Sequence, residues 1–122
     1  MTKEQALQKF FNQFGIVGYR ATAVPDDVIF PYLTYDAPVS SFNEDPVSIT
    51  LNLYYYTDSE AVPDAKAEEI RQAISMGGVL LNCDGGAIWL KWGAPWCRSL
   101  VDDTNKNIKR RYINITADYL TL

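Results

Sequence analysis

Val47-Ser48-Ile49-Thr50-Leu51-Asn52-Leu53-Tyr54-Tyr55-Tyr56-Thr57 is the stretch from which the fold of this chain is read. Val47, Ile49, Leu51, Leu53 and Tyr55 alternate with Ser48, Thr50, Asn52, Tyr54 and Tyr56. In a strand successive side chains point to opposite faces, so this period of two predicts a long strand with one wholly apolar face. The other face is polar and ends in two tyrosines.

Working outward toward the C-terminus, a helix is predicted from about Val62 to Ser75, with Asp58 or Ser59 as cap, Pro63 in the first turn and Asp64 on the positive dipole end. Its thin buried stripe is Ala67, Ile70, Ala73 and Ile74, which suits flat packing on a sheet, and Gly77-Gly78 stops it. Val79–Cys83 and Ala87–Trp92 flank Asp84-Gly85-Gly86, a hairpin turn. Gly93-Ala94-Pro95 makes a further turn before Trp96–Val101 and a polar loop from Asp102 to Asn107. The last strand runs from Ile108 to Leu120, where Arg111, Ile113, Ile115, Ala117 and Tyr119 share one face.

Toward the N-terminus, Ala37 to Pro46 reads as an exposed loop or wide hairpin tip with two prolines, and Tyr32–Tyr35 as a short strand pushed extended by Phe30-Pro31. Ala6, Leu7, Phe10, Phe11 and Phe14 form the stripe of an amphipathic helix over Lys3–Phe14, capped by Thr2 with Gln5 and closed by Gly15. This order predicts an α+β fold: a mainly antiparallel sheet of about five strands with two helices packed on one face. With no repeat and no linker, residues 1–122 form a single domain.

Composition narrows the function. The net charge is −4 with eleven basic residues, which argues against phosphate-driven nucleic-acid binding as the main activity. The chain has no His, so the commonest general base and metal ligand are both missing. The N-terminus opens a charged helix with no apolar h-region, and no run approaches the ~20 apolar residues of a membrane span, so a soluble chain made in a reducing cytoplasm is expected. In that setting the Asn114-Ile115-Thr116 sequon carries no meaning. Eight Tyr, five Phe and three Trp exceed what a small core needs and point to a binding surface.

No residues assemble into chemistry. Cys83 and Cys97 have no base to make a thiolate and read as small buried hydrophobes; they pair only if the fold brings their Cα atoms within about 7 Å. Asp26-Asp27 and Asp102-Asp103 lie among turn residues, where Asp caps backbone amides, and the Gly pairs fit no phosphate loop. No catalytic, metal or cofactor residue is expected. Lys106, Lys109, Arg110 and Arg111 are the one basic cluster, read either as a solvated strand start answering Asp102 and Asp103 or as contact with an acidic partner or passing DNA. Arg110 and Arg111 must point to opposite faces. The candidate interface residues are Tyr54, Tyr56, Trp89, Trp92, Trp96, Lys109 and Arg110, the alternative being that the chain's own loops cover these aromatics.

One assembly of motifs is familiar. A first helix ending in Phe-Gly, Val24-Pro25-Asp26-Asp27, Phe30-Pro31-Tyr32-Leu33-Thr34-Tyr35, the Tyr-rich strand, Gly85-Gly86-Ala87-Ile88-Trp89-Leu90-Lys91 and Lys109-Arg110-Arg111-Tyr112-Ile113-Asn114-Ile115 together resemble the small tail-terminator, or tail-completion, proteins of tailed bacteriophages and prophages. The resemblance covers nearly the full length and rests on structural motifs. It implies a non-enzymatic α+β subunit, without cofactor, that forms a hexameric ring with copies of itself on the end of the tail tube. It implies contact with the tube protein and with the head-tail connector, and DNA only in transit through the ring. Assembly would occur in the host bacterial cytoplasm, and the ring would then sit in the virion neck. Another neck, connector or tube component, or a small protein-binding adaptor, are the alternative readings. The Ala37–Pro46 loop and the Val79–Trp92 hairpin are expected to reach adjacent subunits.

Overall fold

The computed structural model describes residues 1–36 and 38–122; Ala37, where the predicted exposed loop begins, lies outside the described residues. The elements are α1 (Lys3–Phe11), β1 (Val17–Arg20), β2 (Tyr32–Tyr35), β3 (Val47–Tyr56), α2 (Ala61–Ile74), β4 (Val79–Cys83), β5 (Gly86–Val101) and β6 (Ile108–Leu120). The chain is α+β, and its strands form one sheet in the order β1-β2-β3-β6-β5-β4. Six strands stand where about five were expected, and the sheet is mixed, because β1 lies parallel to β2 while every other neighbour is antiparallel.

The centre of the sheet is the pair β3–β6, in register from Val47 opposite Ala117 to Tyr56 opposite Ile108. Both strands obey their alternation: Ile49, Leu51, Leu53 and Tyr55 are buried on the helix side, as are Ile113, Ile115, Ala117 and Tyr119. Trp96–Val101 is no separate segment but the second half of β5, resumed after an irregularity between Trp92 and Cys97.

Both helices press on that one face. In α1 the capping box forms as expected, with Thr2 Oγ1 accepting from Gln5 N and Gln5 Oε1 accepting from Thr2 N. The helix ends at Phe11, short of Phe14, because Asn12 leaves the helical path and turns its amide to β1. Gly15 does adopt a positive φ of 79°, in the turn that follows. Phe11 stacks on Tyr35 at 4.7 Å, and Phe10 meets Phe11 and Phe14 edge-on. In α2, Pro63, Ala67, Ile70 and Ile74 are buried while Ala73 faces outward, and neither Asp58 nor Ser59 caps the helix; Glu60 takes that place without a side-chain bond.

One consequence of this packing is the shape of the sheet. α1 touches β1 and β4, the two outermost strands. A single helix reaches both edges only if the sheet curls round it.

Candidate interaction surface

The face of the sheet turned away from the helices carries Tyr32, Ser48, Thr50, Asn52, Tyr54, Tyr56, Arg110, Tyr112 and their neighbours in register. At one end of it aromatic rings gather. Tyr32 and Tyr54, opposite each other on β2 and β3, stack at 4.7 Å with 12° between their planes. Phe30, from the connection between β1 and β2, leans on Tyr32 at 5.5 Å and on Tyr56 at 6.0 Å, and Tyr19 meets Tyr32 at 6.3 Å. The Tyr32 hydroxyl is pushed above its usual pKa by burial and by neighbouring Tyr54, so it stays neutral and available as a donor.

Most of the cluster is thus partly covered by the chain itself. Tyr54 is half-buried, whereas Tyr56 remains 57% exposed. Arg110, opposite Tyr54, donates Nε–H to Asn52 Oδ1 at 3.0 Å and has no carboxylate partner among the described residues. Leu100 lies on the next strand of the same rung.

The other candidates are elsewhere. Trp89 is on the same face but at the far end, its Nε1 donating to Gly77 O at 2.8 Å with Lys91 over its ring. Trp92 turns to the helix side, where Nε1 donates to Arg71 O and the Arg71 guanidinium lies 4.1 Å from the ring centre. Trp96 packs against the core with its indole nitrogen buried and without an acceptor. Lys109 is also on the helix side, 3.9 Å from Glu60. The structure therefore brings Tyr54, Tyr56 and Arg110 together and adds Tyr19, Phe30 and Tyr32, which sequence reading did not single out. Their signal was weak: the Tyr32–Tyr54 stack exists only through the β2–β3 register, which no local pattern reveals.

The basic cluster is divided by strand parity. Arg111 is 1% exposed, and donates Nη2–H to Glu60 Oε2 at 2.6 Å and Nε–H to Asp64 Oδ1 at 2.9 Å. Burial alone would lower its pKa, but the bonds to Asp64 and Glu60 hold the guanidinium above its ordinary value. Its carboxylate partners thus come from the first turn of α2 and from Glu60 at its N-cap, and not from Asp102 and Asp103 across the loop. Asp102 Oδ1 instead accepts from Thr104 N, Thr104 Oγ1 and Asn105 N. These bonds, that of the Thr104 hydroxyl foremost, pull its pKa down.

A groove of about 520 Å³ runs between α1 and β4, with Ala6, Phe10, Leu81 and Cys83 among its walls and Lys9 and Asp84 on its rim. Cys83 and Cys97 are both free and half-buried; Cys83 stands opposite Gly86 and Cys97 opposite Ile113, far apart along the sheet. Burial raises the Cys97 thiol further from ionisation. Among the described residues no three His, Cys, Asp or Glu converge as metal ligands, and no helix is long and apolar enough to cross a membrane. The loop before β3 is tied down: Lys3 Nζ donates to Ser40 O, Tyr119 Oη to Pro38 O, and Phe42 N to Thr121 O. It holds Val39 and Phe42 exposed at the end of the sheet opposite Tyr56.

The chain matches no family model, no curated protein and no solved structure.

Proposed function

We propose that this chain is a structural subunit that acts by assembling with copies of itself, as a phage or prophage tail terminator: a ring, hexameric in the resembled family, that caps the tail tube, stops its polymerisation and joins it to the head connector. The observation that carries this reading is the helix-free sheet face with its aromatic end. Tyr56 is exposed there beside Arg110, which no carboxylate among the described residues answers. Apolar and aromatic surface of this kind, rimmed by polar side chains, marks a protein contact. A second exposed apolar knob, Val39 and Phe42, sits at the other end of the same sheet. Two unlike patches on opposite ends favour a head-to-tail contact, the kind that closes into rings. The tube protein and connector are the further partners in this reading, and DNA passes through the ring without being held.

Particle mass is the test. Mass photometry of the chain alone and with purified tail tubes is expected to give a ring several times the ~14 kDa chain, or rings seen on tube ends by negative-stain microscopy. A chain that stays monomeric and ignores tube ends overturns the reading and leaves the aromatic face as the recognition surface of a small adaptor.

A further inference from the structure

A sheet edge is a row of backbone donors and acceptors, and proteins close such edges or risk pairing with another chain. This sheet closes two of its edges with its own residues. On β1, Gly18 N donates to Asn12 Oδ1 at 2.9 Å, and Gly18 O accepts from Gln8 Nε2 at 2.9 Å, so side chains of α1 and of its C-cap stand in for a missing strand. Farther along, Arg20 O accepts from Ala23 N. β4 is flanked by α1, and just past its end Asp84 N donates to Met1 O at 2.7 Å.

The edge at the second half of β5 is bare. β4 pairs with β5 only as far as Leu90, so among the described residues the second half of β5 has β6 on one side and no strand on the other. Among the described residues, no backbone hydrogen bond reaches Cys97–Val101 from any element but β6. Arg98, Ser99, Leu100 and Val101 are consecutive and all exposed, Leu100 at 41% and Val101 at 53%, so neither face of this stretch is covered.

We propose that this edge pairs with the same edge of a second copy, antiparallel, about a two-fold axis at Leu100. Side-chain order selects the occupant. The segment carries a cation, Arg98, at one end, a carboxylate, Asp102, at the other, and a leucine midway. Such a segment is complementary to its own reversed copy. In this register Leu100 meets Leu100 of the second copy, Ser99 meets Val101, and each Arg98 meets an Asp102. Directly opposite residues share a face, as the pleat requires. Asp102 uses Oδ1 for Thr104 and Asn105, which leaves Oδ2 for the arginine. Opposite charges and apolar side chains directly across a ladder both favour pairing.

So short an edge covers far less than the roughly 1,200–2,000 Å² of a stable interface, so the pair is reversible and driven by concentration. A two-fold contact also closes on itself, which separates it from the head-to-tail contact a ring needs. The edge pairing does not depend on ring formation.

Disulfide trapping is suited to a weak pair. In the full chain with Cys83→Ser and Cys97→Ser, Leu100→Cys is expected to form a covalent dimer under mild oxidation, because facing Cα atoms lie within disulfide range. Ser99→Cys, equally exposed but opposite Val101, is expected to stay largely monomeric. Equal trapping rates for the two variants overturn the pairing. So does a Leu100→Cys chain that remains monomeric alone and cross-links only to tube protein, which would assign the edge to that partner. As a second measurement, sedimentation velocity should show concentration-dependent dimer for the wild-type chain and monomer for Leu100→Asp, with circular dichroism confirming that the variant is folded. Dimer retained in Leu100→Asp overturns the pairing as well. Tube capping, scored separately, bears on the ring reading alone.

Discussion

Arg111 offers the sharpest test of how the sheet and α2 are joined. Its guanidinium is 1% exposed, while the side chains of Glu60 and Asp64 that bind it are each 59% exposed. The two sides of the clamp are therefore unequal. Replacing Arg111 by Met keeps most of the apolar stem, removes the cost of burying a charge, and frees two carboxylates that water already reaches. The charge-assisted bonds lost are worth about 1.5–3 kcal/mol each before rehydration is counted, and exposed partners recover much of that. A net loss of about 0–2 kcal/mol is expected for Arg111→Met. The reverse change, Glu60→Gln with Asp64→Asn, leaves the buried cation with only neutral acceptors. Stripping a buried charge of its partners costs about 3–5 kcal/mol; since the amides still accept hydrogen bonds, about 3 kcal/mol is expected. Adding Arg111→Met to that double variant should then recover stability, because the orphaned charge is gone. Urea unfolding at pH 7 followed by circular dichroism measures all three. Arg111→Met less stable than the double amide variant would refute this account, and would mean that stem packing, or the bond that Arg111 Nη1–H donates to Arg110 O at 3.3 Å, outweighs charge.

Other consequences are simpler to state. Burial, then Glu4 and Cys83, raise the Tyr119 pKa to about 12 from 10.0, while its hydroxyl donates to Pro38 O at 2.7 Å. Its contribution is fully present below pH 10 and is lost as pH rises toward about 12, because the unfolded chain releases the proton first. Tyr119→Phe should cost about 1 kcal/mol at neutral pH and flatten the alkaline part of the stability curve; an unchanged alkaline slope would count against this. Asp102 runs in the opposite direction, with a folded pKa below 3.8, so its effect is present above that pH and fades on acidification. Thr104→Ala should raise the Asp102 carboxyl pKa in an NMR titration, and no movement would mean the hydroxyl bond is not its main cause. A Cβ at Gly18 would stand 2.8 Å from Phe11 O and 3.0 Å from Leu33 Cδ1. Gly18→Ala is therefore expected to lose about 1–3 kcal/mol by overpacking, read as a lower urea midpoint, whereas Gly77→Ala meets no atom within 4 Å and suffers only from its φ of 92°.

Local pattern carried the reading wherever one face of an element is buried and the other is wet. β3 and β6 show this best, because each inward residue, from Ile49 to Tyr55 and from Ile113 to Tyr119, must be apolar or be specifically paired. The α1 capping box and the opposite faces of Arg110 and Arg111 follow from similarly short-range rules. β1 did not show itself, since Val17-Gly18-Tyr19-Arg20 is too short to display a period and owes its place to a parallel neighbour and to Asn12. Ala73 matched the helical stripe yet faces outward, because the sheet beneath α2 sets which side of the helix is covered. The sequence by itself determined the class, the number of helices and which residues could lie inward. Only tertiary structure decided which carboxylates hold Arg111, that Tyr32 and Tyr54 stack, and that the edge at Cys97–Val101 stays open. Those outcomes depend on register and curl, which join residues far apart in the chain and leave no trace in the spacing of either one.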